Sequence, residues 1–302
     1  MPNSSTNTLI SSLEFCKKYV YNRQLSLGDF KEPLITASNL VKQVILGPPM
    51  RWRFNRVVTG FVCRPNVQDY RLGNWIASTA FPANFYVIDT NGNSQRITTP
   101  GTTNSSQPAW NVTTGGTTTD NTATWTNMGP IPNASSTYTF GWIENASVQD
   151  PTSLKWNEMF PKIDLALEAS TQRPQNIAAE LDTGDGSITF RLMGVPDKAY
   201  PVAITVQQKA ALFTSLNQTW APIPDEYSYL YQWGLLAEIF LFADDARATW
   251  ASQKFVSHVL SAQEGLDATA RNIFLSTWSA ITGAPFVNQA NAAQGVQSKA
   301  GY

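Results

Sequence analysis

Apolar residues recur at helical spacing toward both ends of this chain and alternate with polar ones through its middle. Leu9, Ile10, Leu13, Phe15, Cys16 and Tyr19 fit one face of a short helix over residues 9–19. Leu34, Ala37, Leu40, Val41, Val44 and Ile45 repeat at the same spacing behind Pro33, which suits a first helical turn, until Gly47-Pro48-Pro49 stops the run. A third helix is predicted over 226–242, where Tyr227, Leu230, Tyr231, Trp233, Leu235, Leu236, Ile239, Phe240 and Phe242 wrap apolar surface almost all the way round. Such a helix must be buried on several sides. Pro222 and Pro224 bar an earlier start, and Asp225 is expected to accept bonds from the first-turn amides. Asp244 and Asp245 open a further helix carrying Trp250, Phe255, Val259 and Ala262 and stopped by Gly265. Asp267 opens another with Ala270, Ile273, Phe274, Thr277, Trp278 and Ile281, stopped by Gly283 and Pro285.

Between these helical ends, β-branched and aromatic runs predict strands over 51–63, 84–88, 138–146, 163–167, 177–181, 187–192 and 202–206. Gly184-Asp185-Gly186 suits a tight hairpin. The fold class is therefore α+β: an antiparallel β-sandwich-like domain with N-terminal helices and a C-terminal three-helix module. The division expected is an N-terminal arm and helices (1–50), a β domain (51–206), a helical docking module (207–285) and a flexible tail (286–302). Within the β domain, residues 99–136 are rich in Thr, Asn, Gly and Ser, with Trp110 and Trp125 as their main large apolar residues. So few aliphatics offset little ordering entropy, which predicts a long exposed loop or a loosely attached hairpin.

Only 14% of the 302 residues are charged and the net charge is −1, a balance that argues against a dedicated nucleic-acid binder and for a surface facing other protein. Ten tryptophans and fifteen phenylalanines serve a core or an interface. Cys16 and Cys63 are too few for a disulfide framework, which points to a reducing compartment. The N-terminus has no basic-then-apolar leader and no run approaches the ~20 apolar residues of a membrane span, so a soluble product made in the cytoplasm is expected.

Chemistry is sparse. His258 is the sole histidine and falls inside a helix beside Phe255 and Val259, so a triad has little to work with. No zinc spacing or phosphate-binding glycine pattern occurs, and no catalytic, cofactor or metal residues are assigned. Asp182, Asp185 and Asp197 sit near turns, where aspartate bonds the local backbone, and Asp182-Thr-Gly-Asp-Gly lacks the full spacing of a calcium loop. What remains is interaction. An early basic excess around Arg51, Arg53 and Arg56, interleaved with Trp52 and Phe54, suits a subunit contact, with stacking on nucleic-acid bases as the other reading. Arg51, Trp52, Arg53 and Arg56, with Tyr227, Tyr231 and Trp233 of the aromatic helix, form the candidate interaction set.

Several motifs carry a resemblance: Gly47-Pro48-Pro49-Met50-Arg51-Trp52-Arg53-Phe54-Asn55-Arg56, Phe140-Gly141-Trp142-Ile143-Glu144-Asn145-Ala146 and Arg173-Pro174-Gln175-Asn176-Ile177-Ala178. With Ser187-Ile188-Thr189-Phe190-Arg191-Leu192, Pro196-Asp197-Lys198-Ala199-Tyr200 and Ile223-Pro224-Asp225-Glu226-Tyr227, they make most of the chain after residue 40 resemble structural proteins of tailed bacteriophages. The last strand, the Ile-Pro-Asp-Glu-Tyr turn and the helix pair are similar to head-to-tail adaptor subunits. That resemblance implies a non-enzymatic virion component without cofactors, assembled in the bacterial host cytoplasm as a homo-oligomeric ring of about twelve copies. Its implied neighbours are portal and tail or nozzle proteins, with passing contact to genome DNA and none to membrane. Residues 99–136 fall outside the pattern. Two other roles fit the sequence: another tail-tube, minor tail or capsid-associated protein, and a carbohydrate-binding tail module using Trp110 and Trp125.

Overall fold

Both ends of the chain meet in one helical unit, while the middle forms a β unit; the division falls at residues 55/56 and 209/210. The computed structural model describes residues 5–20, 31–162, 170–182, 186–263 and 266–282. The helices of the first unit are α1 (Leu9–Lys17), α2 (Lys31–Leu46), α3 (Ser228–Phe242), α4 (Ala248–Ala262) and α5 (Ala268–Thr282).

Thr8 caps α1 by accepting from the Ser11 N–H at 3.3 Å, and Asp267 caps α5 by accepting from the Ala270 N–H at 2.6 Å. One core joins Leu9, Leu13 and Cys16 of α1 and Val41 and Ile45 of α2 to Leu230, Leu235 and Phe240 of α3 and Phe255, Phe274 and Trp278 beyond it. The N-terminal helices therefore belong with the C-terminal ones rather than forming an arm that feeds the β domain. Their apolar stripes face residues some 200 positions away, a pairing no local pattern reports. α2 and α3 approach closely at Gly234, where an added Cβ would lie 2.6 Å from Val41 Cγ1 and 2.9 Å from Phe255 Cε2.

Asp225 does not cap its own helix. A 3₁₀ turn, Asp225–Tyr227, precedes α3 with no side-chain cap, and the carboxylate turns instead to the N-terminal residues. Asp244 takes a positive φ of 51°, and Asp245 accepts from the Arg247 N–H at 2.9 Å ahead of α4. The expected stops at Gly265, Gly283 and Pro285 and the tail 286–302 lie outside the described residues.

In the β unit the strands are β1 (Arg56–Val62), β2 (Asp69–Leu72), β3 (Ala80–Phe81), β4 (Phe85–Ile88), β5 (Asn93–Thr99), β6 (Gly101–Thr102) and β7 (Thr117–Asp120). β8 (Ala123–Pro130), β9 (Phe140–Gln149), β10 (Trp156–Lys162), β11 (Asn176–Asp182), β12 (Ile188–Met193) and β13 (Pro201–Gln208) follow. Among the described residues eleven of them form one sheet in the order β1-β13-β9-β10-β11-β12-β2-β4-β5-β8-β7, antiparallel except at β10/β11 and β2/β4, and β3 pairs with β6. The α+β class read from the sequence is the observed one. Alternation is clear in β12 and through most of β13, which bury Ile188, Phe190 and Leu192, and Val202, Ile204 and Val206. The sheet curls so that β1 stands against β4 and β5, closing a core of Phe61, Tyr70, Tyr86, Val148 and Phe190.

Residues 51–55 are not strand: Arg53–Asn55 form a 3₁₀ turn. The strand expected over 163–167 and residues 184–185 of the expected hairpin lie outside the described residues, although β11 and β12 pair antiparallel as that hairpin requires. The largest departure is residues 99–136. They supply β7 and β8, which extend the main sheet beyond β5. Trp125 is fully buried and Trp110 nearly so, in edge-to-face contact at 5.6 Å and packed with Phe81, Phe85 and Ile97. The buried Asp120 carboxylate accepts from the indole N–H groups of Trp75 at 2.8 Å and Trp125 at 3.1 Å and from the Asn104 N–H at 2.8 Å. Two indoles and the hydrogen bonds gathered on the Asp120 carboxylate supply the order that aliphatics supply elsewhere.

Candidate functional site

An aromatic face on the helical unit is its most distinctive surface. Trp233, at the middle of α3, sits among Trp250 of α4 at 5.2 Å, Tyr19 at 5.7 Å, Phe15 of α1 at 5.8 Å and the His258 ring at 6.2 Å. Tyr229 stands 5.2 Å from His258 on the same side. The rings meet edge-on or tilted, the arrangement aromatic quadrupoles favour. Helical spacing accounts for the set: Tyr229 and Trp233 are four apart on α3, Trp250 and His258 eight apart on α4, and Phe15 and Tyr19 four apart across the end of α1.

This cluster is not sealed. Trp250 remains 42% exposed, and Leu241 and Phe242 at the end of α3 are 40% and 68% exposed. Arg247 fastens the turn between α3 and α4. Its guanidinium pairs with Asp245 at 2.7 Å, donates to the Tyr19 carbonyl at 2.8 Å and lies 4.4 Å over the Phe240 ring. That side-chain bond holds the Asp245 carboxyl down at about 2. Burial and the neighbouring Lys254 lower the His258 pKa, so the imidazole is neutral at physiological pH and serves as one more ring of the cluster.

The sequence-selected residues divide. Trp233 is the centre of the aromatic face, whereas Tyr231 is fully buried, stacked on Trp220 at 4.2 Å with an interplanar angle of 4°. Trp52 is also core: its indole N–H donates to the Ile45 carbonyl at 2.6 Å and its ring stacks on Phe54 at 5.3 Å, which removes it from base stacking. Tyr227 packs edge-on against Trp52 at 5.9 Å and is half-buried. Arg51 and Arg53 are exposed in the helical unit. Arg56 belongs to the β unit, where it forms a bidentate pair with Glu144 that Gln207 completes by donating to the same carboxylate at 2.6 Å. Trp250, Tyr19 and His258 were missed as interaction residues. The signal that finds them is the coincidence of ring-bearing positions on the half-exposed sides of three helices.

No group of three or more His, Cys, Asp or Glu among the described residues stands close enough to hold a metal ion. Cys16 and Cys63 are free and buried, and burial pushes both thiols up to about 12. Asp197 accepts from the Tyr200 hydroxyl at 2.6 Å, while Asp185 and the Asp182 side chain lie outside the described residues. The burial of Trp110 and Trp125 leaves no flat indole platform there for a sugar. In the β unit, a recess of about 460 Å³ is lined by Arg71, Asn74, Phe81 and Phe85, but the Asn74 amide is spent on both backbone groups of Tyr138. Among the described residues no helix is long and apolar enough to cross a membrane. The chain matches no protein-family model and no curated protein.

Proposed function

We propose that the protein is a non-enzymatic structural subunit of a tailed-bacteriophage particle, a head-to-tail adaptor or neck component that forms a ring joining portal to tail. The observation that carries this reading is the half-exposed aromatic face built on Trp233 and Trp250. Tryptophan and tyrosine side chains that a partner can desolvate are among the residues from which protein interfaces draw most of their binding energy. The resemblance of the last strand, the Ile-Pro-Asp-Glu-Tyr turn and the helix pair to adaptor subunits suggests a partner for that face, a neighbouring ring of the virion. A subunit of this kind needs a rigid helical body to dock and a β body to extend the contact. The chain has one of each.

Cryo-electron microscopy of the head-to-tail junction, without imposed symmetry, tests the proposal. A single ring of about twelve copies below the portal is the expected result. Density in a long stack or scattered over the capsid would replace the adaptor role with another virion role. Failure to find the protein in particles would end the reading.

A further inference from the structure

Two arginines of the β unit converge on one buried phenol. Arg96 of β5 stands directly opposite Tyr86 of β4 in the antiparallel register, so the two side chains leave the same face of the sheet. Arg64 follows β1, and the Tyr70 hydroxyl fixes its backbone by accepting from the Arg64 N–H at 2.9 Å and donating to the Arg64 carbonyl at 3.2 Å. The Tyr70 ring in turn meets the Tyr86 ring edge-on at 5.8 Å. Burial pushes the Tyr86 pKa up, and Arg64 and Arg96 both pull it back, as guanidiniums near its hydroxyl must.

The charge of this group is not balanced. Arg56, Arg191 and Arg247 each pair with a carboxylate, whereas Arg64 and Arg96 pair with none among the described residues. The Nε of each is buried without an acceptor, and the buried Tyr86 hydroxyl lacks a partner of proper hydrogen-bond geometry. Neighbouring cations repel, and a buried donor without an acceptor costs about as much as a lost hydrogen bond. An oxyanion relieves both costs, because its oxygens accept from guanidinium forks and from a phenol. Both arginines are half-buried rather than sealed, so the outer nitrogens of the forks give a solute its approach. Two positive charges are matched by a dianion, whereas a carboxylate leaves one over.

We propose that Arg64, Arg96 and Tyr86 form a binding site for a dianionic phosphate, taken as inorganic phosphate or as the terminal group of a phosphate monoester. The site lies wholly within the β unit and does not rest on the assembly role proposed above.

Thermal unfolding of the full-length protein in millimolar inorganic phosphate, against sodium chloride of equal ionic strength, tests this, with isothermal titration giving the affinity. Phosphate is expected to raise the melting temperature above that in chloride and to bind at one site per chain. Arg96→Gln should weaken phosphate binding at least ~10-fold and melt no lower than the parent in chloride, because the repulsion is gone. Tyr86→Phe keeps the ring against Phe61 and Tyr70 and should weaken binding several-fold. An equal rise in chloride would reduce the effect to charge screening and overturn the site. So would phosphate binding undiminished in both variants, or an Arg96→Gln protein that is destabilised in chloride yet keeps its phosphate response, since the arginine would then serve packing alone. Binding of duplex DNA through these residues without a response to inorganic phosphate would assign them to a phosphodiester backbone and overturn the dianion.

Discussion

Replacing Lys42 with methionine should stabilise the helical unit, against the usual direction of a core substitution. Lys42 lies on α2 with 2% of its surface exposed, and its ammonium stands 4.5 Å over the Phe213 ring. Burial pushes its pKa down from 10.5 to about 8. The unfolded chain therefore binds this proton more tightly than the fold does, and at ~1.4 kcal/mol per pH unit the charged side chain costs on the order of 3 kcal/mol at neutral pH. Methionine keeps the unbranched apolar stem and removes the charge, at the loss of the contact between ammonium and ring. Lys42→Met should accordingly raise the unfolding free energy by about 1 to 3 kcal/mol. The pH dependence gives a second, sharper readout. Because the folded pKa is depressed, the unfolded state holds more protons between about 8 and 10.5, so the parent gains stability as pH rises through that window. Urea unfolding followed by far-ultraviolet circular dichroism, in parent and variant, isolates the lysine because every other titrating group is common to both. A variant less stable than the parent at neutral pH, or one that keeps the parent's slope above pH 8, would refute the reasoning.

Glu238 has the opposite sense: it is 9% exposed, burial raises its pKa from 4.5 to about 7, and the parent should lose stability as pH rises between those values. Glu238→Gln should flatten that fall in the same unfolding assay. Gly234→Ala forces a methyl group into Val41 and Phe255 and should cost about 1 to 3 kcal/mol, part of which Val41→Ala should recover in the double variant. Trp250→Ala should change the melting temperature far less than Trp278→Ala, whose buried ring is worth about 3 to 5 kcal/mol; on the proposed adaptor role, only the former should weaken co-sedimentation with portal rings. Neither Cys16 nor Cys63 should react with a thiol reagent at neutral pH until the protein unfolds, as judged by labelling with and without urea.

Helices were the most legible elements in the sequence because their signals are local. The 3.6-residue repeat of α2, the continuous apolar run of α3 behind Pro222 and Pro224, and the Asp267 cap read directly from neighbouring residues. What each helix packs against was not legible, since Leu13 and Val41 carry no mark of their distant partners. Asp225 shows the same limit at a single residue. Its position before an apolar run is that of a cap, yet its carboxylate is taken by Ser5, Thr6 and Asn7, some 220 positions away in sequence. In the β unit, β5 and β7 were hidden because most of their buried positions are polar: Asn93, Ser94 and Gln95 beside Ile97, and Thr118 and Asp120. Asp89 accepts from the Asn93 N–H and from the Gln95 side-chain amide, a hold that no periodicity of apolar residues records. For the candidate site, aromatic content pointed to α3, but exposure decides which rings face outward. Tyr231 and Trp233 are two residues apart and lie on opposite sides of that decision.

The split of the helical unit around residue positions 56 to 209 has a consequence for synthesis. Leu9, Leu13, Val41 and Ile45 leave the ribosome early, but Leu230, Leu235 and Phe255, which cover them, come after the entire intervening β unit. At ~5–20 residues per second, the 154 residues of Arg56–Lys209 occupy roughly 8 to 30 s of translation. The β unit is contiguous and can fold as it emerges, whereas two apolar helices wait in water for the rest of their core. The nascent chain is therefore most open to misassociation, and most in need of a holding chaperone, after its middle has folded and before its last third has been made.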